Sequence, residues 1–188
     1  VNGLPSKQGV MVVYPHTSNW DLIIGLLAKW GMGFPAKFWI KDSSLRVPVL
    51  GPLLRALGGI AVVRSQTSGV VSDMAAQFDR ARDTDQYLWL VLAPEGTRSY
   101  KPAWKSGFYH VALKAGVPLA LAFIDYATRT AGVQSVMSLS GNVEDDMSHI
   151  AAELGARKGF HRHKASPIRL DKQPDAAADA AKTRGAVS

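Results

Sequence analysis

The sequence predicts a single-domain α/β fold with a mostly parallel central sheet and helices on both faces. Two observations carry this expectation. Short apolar runs, several rich in β-branched residues, alternate with segments whose apolar residues recur at helical spacing, and glycine or proline marks many of the junctions. A chain of 188 residues, 47% hydrophobic and 20% charged, can also bury one sizeable core. Strands that alternate with helices pair in parallel, because each crossover returns the chain in the same direction.

The elements follow in order. Val10–Tyr14 is a β-branched run between Gly9 and Pro15 and reads as a buried strand. Ser18–Trp30 shows helical periodicity and stops before Gly31. Lys37–Ile40 reads as a short strand, Val49–Leu57 as a short helix stopped by Gly58 and Gly59, and Ile60–Val63 as another short strand. Val70–Arg82 is amphipathic, with Met74, Ala75 and Phe78 on one side. Tyr87–Ala93 is a strongly apolar strand ended by Pro94, and Gly107–Ala115 is a helix stopped by Gly116. Pro118–Ile124 and Val133–Leu139 read as strands, and Val143–Leu154 as a helix.

Charge divides the chain. The formal net charge is +7, of which +5 falls after Gly155. Residues 1–155 are therefore expected to form the domain and 156–188 a basic, disordered tail, whose Pro, Ala and Asp mix after Lys172 supplies no core. A basic end attracts polyanions. Aromatic residues beyond Phe160 are lacking there, so base stacking has little to use and an anionic membrane surface is expected rather than nucleic acid. There is no cysteine, hence no thiolate nucleophile and no disulfide, which fits a reducing compartment. No run of 18 apolar residues spans a bilayer. His161 and His163 are too few, on a mobile tail, to argue a metal site.

Ligands of open parallel sheets bind beyond the carboxyl ends of the strands. After the first strand comes His16-Thr17-Ser18-Asn19-Trp20-Asp21. A histidine there suits a general base, and an acid returning to its ring would fix the tautomer. The same Asp21 also suits the start of a helix, with Ser18-x-x-Asp21 resembling an N-terminal box. After Tyr87–Ala93 comes Pro94-Glu95-Gly96-Thr97-Arg98-Ser99, whose Arg98 fork can hold a phosphate or simply be solvated. Arg64 follows a third strand, and Lys105 opens a helix whose positive end suits an anion.

These segments, in this order, resemble the glycerolipid acyltransferases that include lysophosphatidate acyltransferases. The family's H-x4-D corresponds to His16 and Asp21. Its glycine followed six residues later by arginine corresponds to Gly58 and Arg64. Its E-G-T-R-S element corresponds to Glu95–Ser99, followed by Trp104-Lys105-Ser106-Gly107, and its V-P-hydrophobic run to Val117-Pro118-Leu119. The likeness spans roughly residues 10–145. Members often have Asp before the second-motif arginine, where this chain has Val63, and a second proline where it has Leu121.

The resemblance implies a fold like glycerol-3-phosphate acyltransferase, in the family's shorter, soluble branch. It implies transfer of a fatty acyl group from acyl-CoA or acyl carrier protein to a hydroxyl of a phosphate-bearing, lysophosphatidate-like glycerolipid. No cofactor, metal or covalent intermediate is implied. His16 would be the base and Asp21 its orienting partner. Arg64, Glu95, Gly96, Thr97, Arg98 and Lys105 would form the phosphate site, Glu95 ordering it by pairing with an arginine. Leu50, Leu53, Leu54 and Leu57 form a stripe suited to core packing or to an acyl channel. The expected location is the cytoplasm, peripheral on the inner membrane face. A thioesterase with the same dyad, or a non-catalytic anionic-lipid-binding module, are the alternatives. Catalysis is expected to survive removal of the chain beyond Leu154, since no motif lies there.

Overall fold

The computed structural model describes residues 4–31, 33, 36–41, 46–48, 50–62 and 67–171. Its strands are β1 (Gln8–Tyr14), β2 (Ala36–Lys41), β3 (Gly59–Val62), β4 (Leu88–Leu92), β5 (Leu119–Asp125) and β6 (Thr130–Met137). Its helices are α1 (Trp20–Gly31), α2 (Leu50–Ala56), α3 (Thr67–Asp83), α4 (Gly107–Ala115) and α5 (Val143–Leu154), with a 3₁₀ turn at Arg162–Lys164. The six strands lie in the order β3-β2-β4-β1-β5-β6. All are parallel except β6, which pairs antiparallel with β5.

Each expected element exists, with shifted ends. The apolar signal for α3 begins at Val70, but the helix starts at Thr67. The apolar run at residues 133–139 marks only part of β6. That strand is the return arm of a hairpin, paired from Asp125 with Thr130 to Leu119 with Met137. The turn, rather than apolarity, therefore sets its start.

Strand alternation splits the core. Val10, Val12 and Tyr14 of β1, Leu88, Leu90 and Leu92 of β4, and Leu119 and Leu121 of β5 share one face. Met74, Ala75 and Phe78 of α3, Phe108 and Tyr109 of α4, and Ile150 and Leu154 of α5 cover it. Met11, Trp89 and Ala120 project to the other face as a thinner cluster. The connections from β1 and β4 run in opposite directions across the sheet. Right-handed crossovers then put α1 and α2 on the face opposite α3 and α4. The Lys29 ammonium donates to the Leu57 carbonyl at 2.7 Å and ties α1 to the end of α2. In α2, Leu54 is buried while Leu53 is exposed, so one stripe does two things.

The disorder expected beyond residue 155 does not hold for residues 156–171. Residues 156–171 pack onto the body as a strap rather than trailing as a disordered tail. The Lys158 carbonyl accepts from the Tyr126 amide at 2.9 Å, the Arg169 carbonyl from the Trp104 amide at 2.7 Å, and the Trp104 carbonyl from the Asp171 amide at 2.9 Å. The Arg157 guanidinium lies over the Phe123 ring, 3.7 Å from its centroid. Backbone hydrogen bonds and one stacked cation hold this segment, and Ala165, Ile168 and Leu170 pack against the core. Residues 172–188 lie outside the described residues.

Candidate active site

β1 and β4 are neighbours whose connections leave in opposite directions, and this is where open α/β sheets bind ligands. The chain leaves β1 through Pro15 into His16, and leaves β4 into Glu95–Arg98. The first two motifs that the sequence singled out at strand ends thus meet because of the strand order.

His16 Nδ1 lies 3.1 Å from Asp21 Oδ2. That same oxygen accepts from the amides of Thr17 at 2.7 Å and Ser18 at 2.8 Å. The other, Oδ1, accepts from the Tyr126 hydroxyl at 2.7 Å. Asp21 is buried. Burial opposes its ionisation, but hydrogen bonds from His16, Tyr126 and the two amides outweigh it and hold its carboxyl below the ordinary value. An ionised Asp21 accepting from Nδ1–H leaves Nε2 of His16 as the basic nitrogen. The His16 side chain is 25% exposed, within reach of a substrate.

Glu95 takes a different place from the expected one. Its side chain is 2% exposed and pairs with no arginine among the described residues. One oxygen accepts from the His16 amide and the other from the Ser166 amide at 2.8 Å. Burial raises its pKa, and the amides of Ser166 and His16 offset this only partly. A buried carboxylate needs donors, and here backbone amides supply them, so Glu95 joins the His16 loop to the strap.

The turn after β4 is closed by the Gly96 amide donating to the Ala93 carbonyl at 3.1 Å, with Gly96 at φ 66°, where a side chain would be strained. Thr97 Oγ1 accepts from the Ser99 amide at 3.3 Å. Arg98 lines a cleft of about 300 Å³ together with Thr17, Ser18, Asn19, Trp20, Phe160, His161 and Lys164. Lys105 does not line this cleft; its ammonium lies 3.6 Å from the Asp171 carboxylate. Arg64 lies outside the described residues. A larger concavity of about 570 Å³, lined by Arg80, Thr84 and Tyr87, sits at the amino end of β4, away from His16.

Sequence reasoning missed Tyr126, Phe160, His161, Lys164 and Ser166. Tyr126 directly follows β5, so the same rule that singled out His16 and Glu95 reaches it. The strap residues carry no local signal. Gly159 shows why they fit: a Cβ there would lie 2.6 Å from Thr17 Oγ1, so glycine lets the strap touch the loop that carries His16.

No curated protein and no solved structure matches the chain. The family model described as Acyltransferase matches residues 1–122, which include His16, Asp21 and the turn carrying Arg98 and end within β5, before the strap. That match covers more than half of the chain, and with the histidine–aspartate pair at the switch point it places the chain in the Acyltransferase family, the glycerolipid acyltransferases.

Proposed function

We propose that the protein transfers a fatty acyl group from acyl-CoA or acyl carrier protein to a hydroxyl of a phosphate-bearing, lysophosphatidate-like glycerolipid. The observation that carries this reading is that His16, buttressed by an ionised Asp21, lies on the same loop as cleft residues shared with Arg98. His16 Nε2 takes the hydroxyl proton. The oxygen forms a bond to the thioester carbonyl carbon, the C–S bond breaks, and the thiolate leaves with the proton from the imidazolium. The products are an ester and a free thiol, with no acyl-enzyme and no cofactor beyond the donor. Arg98 and the Gly96–Thr97 turn hold the acceptor phosphate, so that its hydroxyl meets the base.

The enzyme works at the cytoplasmic surface of an anionic membrane. Among the described residues, no helix is long and apolar enough to cross one. A surface encounter is supported by the net charge of +7 and by the apolar side chains that α1 leaves exposed.

The test is a panel of lysolipids assayed with acyl-CoA and acyl carrier protein donors, following both ester formation and thioester cleavage. Cleavage should require a phosphate-bearing acceptor and vanish in His16→Ala. Equal cleavage with and without acceptor would assign the dyad to a thioesterase.

A further inference from the structure

The strap is fastened to both motif loops. The His161 amide donates to Thr17 Oγ1 at 3.2 Å, and the Ser166 amide to Glu95. The Lys101 amide donates to Ser166 Oγ at 3.1 Å, just beyond the turn that carries Arg98. Phe160 packs edge-on against Tyr126, ring centroids 5.3 Å apart, and Tyr126 in turn holds Asp21. Lys164 thereby stands in the wall of the cleft with Arg98.

The charges there are not balanced. Among the described residues neither Arg98 nor Lys164 has a carboxylate within ion-pair distance. Glu95, the acid nearest in sequence to Arg98, is turned into the protein and held by amides. Asp21 is enclosed by its own donors. A small cleft with two unpaired cations attracts an anion, and polar groups of Thr17, Ser18 and Asn19 line it together with Trp20, Phe160 and His161.

We propose that Lys164 is a substrate-binding residue that joins Arg98 in holding a phosphate monoester in this cleft. The segment beyond the family match thus completes the site. This rests on the function proposed above, and goes beyond it by assigning a second cation from outside the motifs. Two substrates carry such a group: the acceptor, through its glycerol phosphate, and coenzyme A, through its ribose phosphate.

Binding is read without turnover, by calorimetric titration of the intact protein with glycerol 3-phosphate, and separately with coenzyme A and its dephospho form. Lys164→Ala and Arg98→Ala should each weaken one of these by about tenfold or more, the size expected for losing a charge-assisted contact. Lys164→Arg should restore part of it. Arg162→Ala, an exposed cation of the same strap that does not line the cleft, should change nothing. Weaker glycerol 3-phosphate binding names the acceptor as the source. A lost preference for coenzyme A over its dephospho form names the donor. Unchanged affinity for both ligands in Lys164→Ala, or an equal loss in Arg162→Ala, overturns the proposal. Turnover is scored separately. If Lys164→Ala weakens phosphate binding while His16→Ala leaves acyl transfer intact, the anion site stands and the proposed mechanism fails.

Discussion

The carboxylate of Asp21 serves the helix start and the histidine together. Oδ2 accepts the amides of Thr17 and Ser18 and faces His16 Nδ1, while Oδ1 is occupied by Tyr126. Cap and dyad partner are therefore not alternatives, and Asp21→Asn disturbs both. It should lose stability as well as rate, because an amide turns an NH2 toward one of these donors. Tyr126→Phe separates the roles. It keeps the cap and the charge and removes only one donor. We expect a melting temperature within a few degrees of the parent and a fall in kcat of about tenfold, the loss of one hydrogen bond to a charged group. An unchanged kcat would leave Tyr126 a packing residue. The sign of the pH effect follows. The folded-state pKa of Asp21 lies below its unfolded value, so its contribution is present above the ordinary carboxylate range, near about 4, and is lost as pH falls through the folded value. Asp125 and Asp146 are also held low, burial being outweighed by their hydrogen bonds. Glu95, raised mainly by burial, works in the opposite direction. Thermal melts should therefore drop on acidification below about pH 4, and less steeply in Tyr126→Phe. A parent melting temperature that did not fall there would contradict the assignment of Asp21 as ionised.

At the scale of elements, strands and helices were legible because apolar period and glycine or proline punctuation are local signals. β1 ends before the same Pro15 that marks it in the sequence, though it starts at Gln8 and runs through Gly9, and α4 ends at Gly116 in a left-handed conformation. His16 and Glu95 were legible by position, since each follows an apolar run. The role of Glu95 was not, because its partners are amides 79 and 71 residues away in the chain. The strap was illegible for the same reason. Its apolar residues are scattered among charged ones, and only the folded loops offer Thr17 and Glu95 to its amides. This reverses the expectation for truncation. Ending the chain after Leu154 removes the Ser166 amide from Glu95, the strap from Thr17 and the packing on Tyr126. Activity should fall by orders of magnitude, and the melting temperature should fall with it. A gentler probe is Gly159→Ala. Its Cβ would press on Thr17 at 2.6 and 2.8 Å and lift the strap from the loop that carries His16. An overpacked site costs about 1–3 kcal/mol, which melts read as a drop of several degrees, and acceptor KM should rise with it. Near-parental melts and kinetics for the truncated chain would make the strap dispensable.

Across the whole molecule, apolar surface and charge point the same way. Trp20, Ile23, Leu27 and Trp30 recur along α1 at helical spacing and remain 57%, 46%, 58% and 59% exposed. They form one stripe, and its first residue also lines the cleft. Leu53 of α2, the helix tied to α1 by Lys29, adds exposed apolar surface. A stripe ending in tryptophans, on a protein of net charge +7, suits the headgroup layer of an anionic bilayer. Lying there, α1 would bring the cleft to the level where a lysolipid presents its phosphate. The basic end of the chain is expected to help membrane binding, but within its described part Arg157 already covers Phe123 and faces Asp125. The larger share of binding should therefore come from the stripe, with charge setting its salt dependence. Sedimentation with vesicles containing phosphatidylglycerol separates the two. Ile23→Glu with Leu27→Glu should weaken binding by about tenfold or more, because each buried aliphatic side chain contributes roughly 1.5–3 kcal/mol and each added acid opposes the surface charge. Raising salt should weaken the parent only modestly. The same double variant should keep its calorimetric affinity for glycerol 3-phosphate, since neither residue lines the cleft. Parental vesicle binding by the double variant, or complete release of the parent by salt, would return membrane attachment to the basic residues and leave α1 without a lipid to meet.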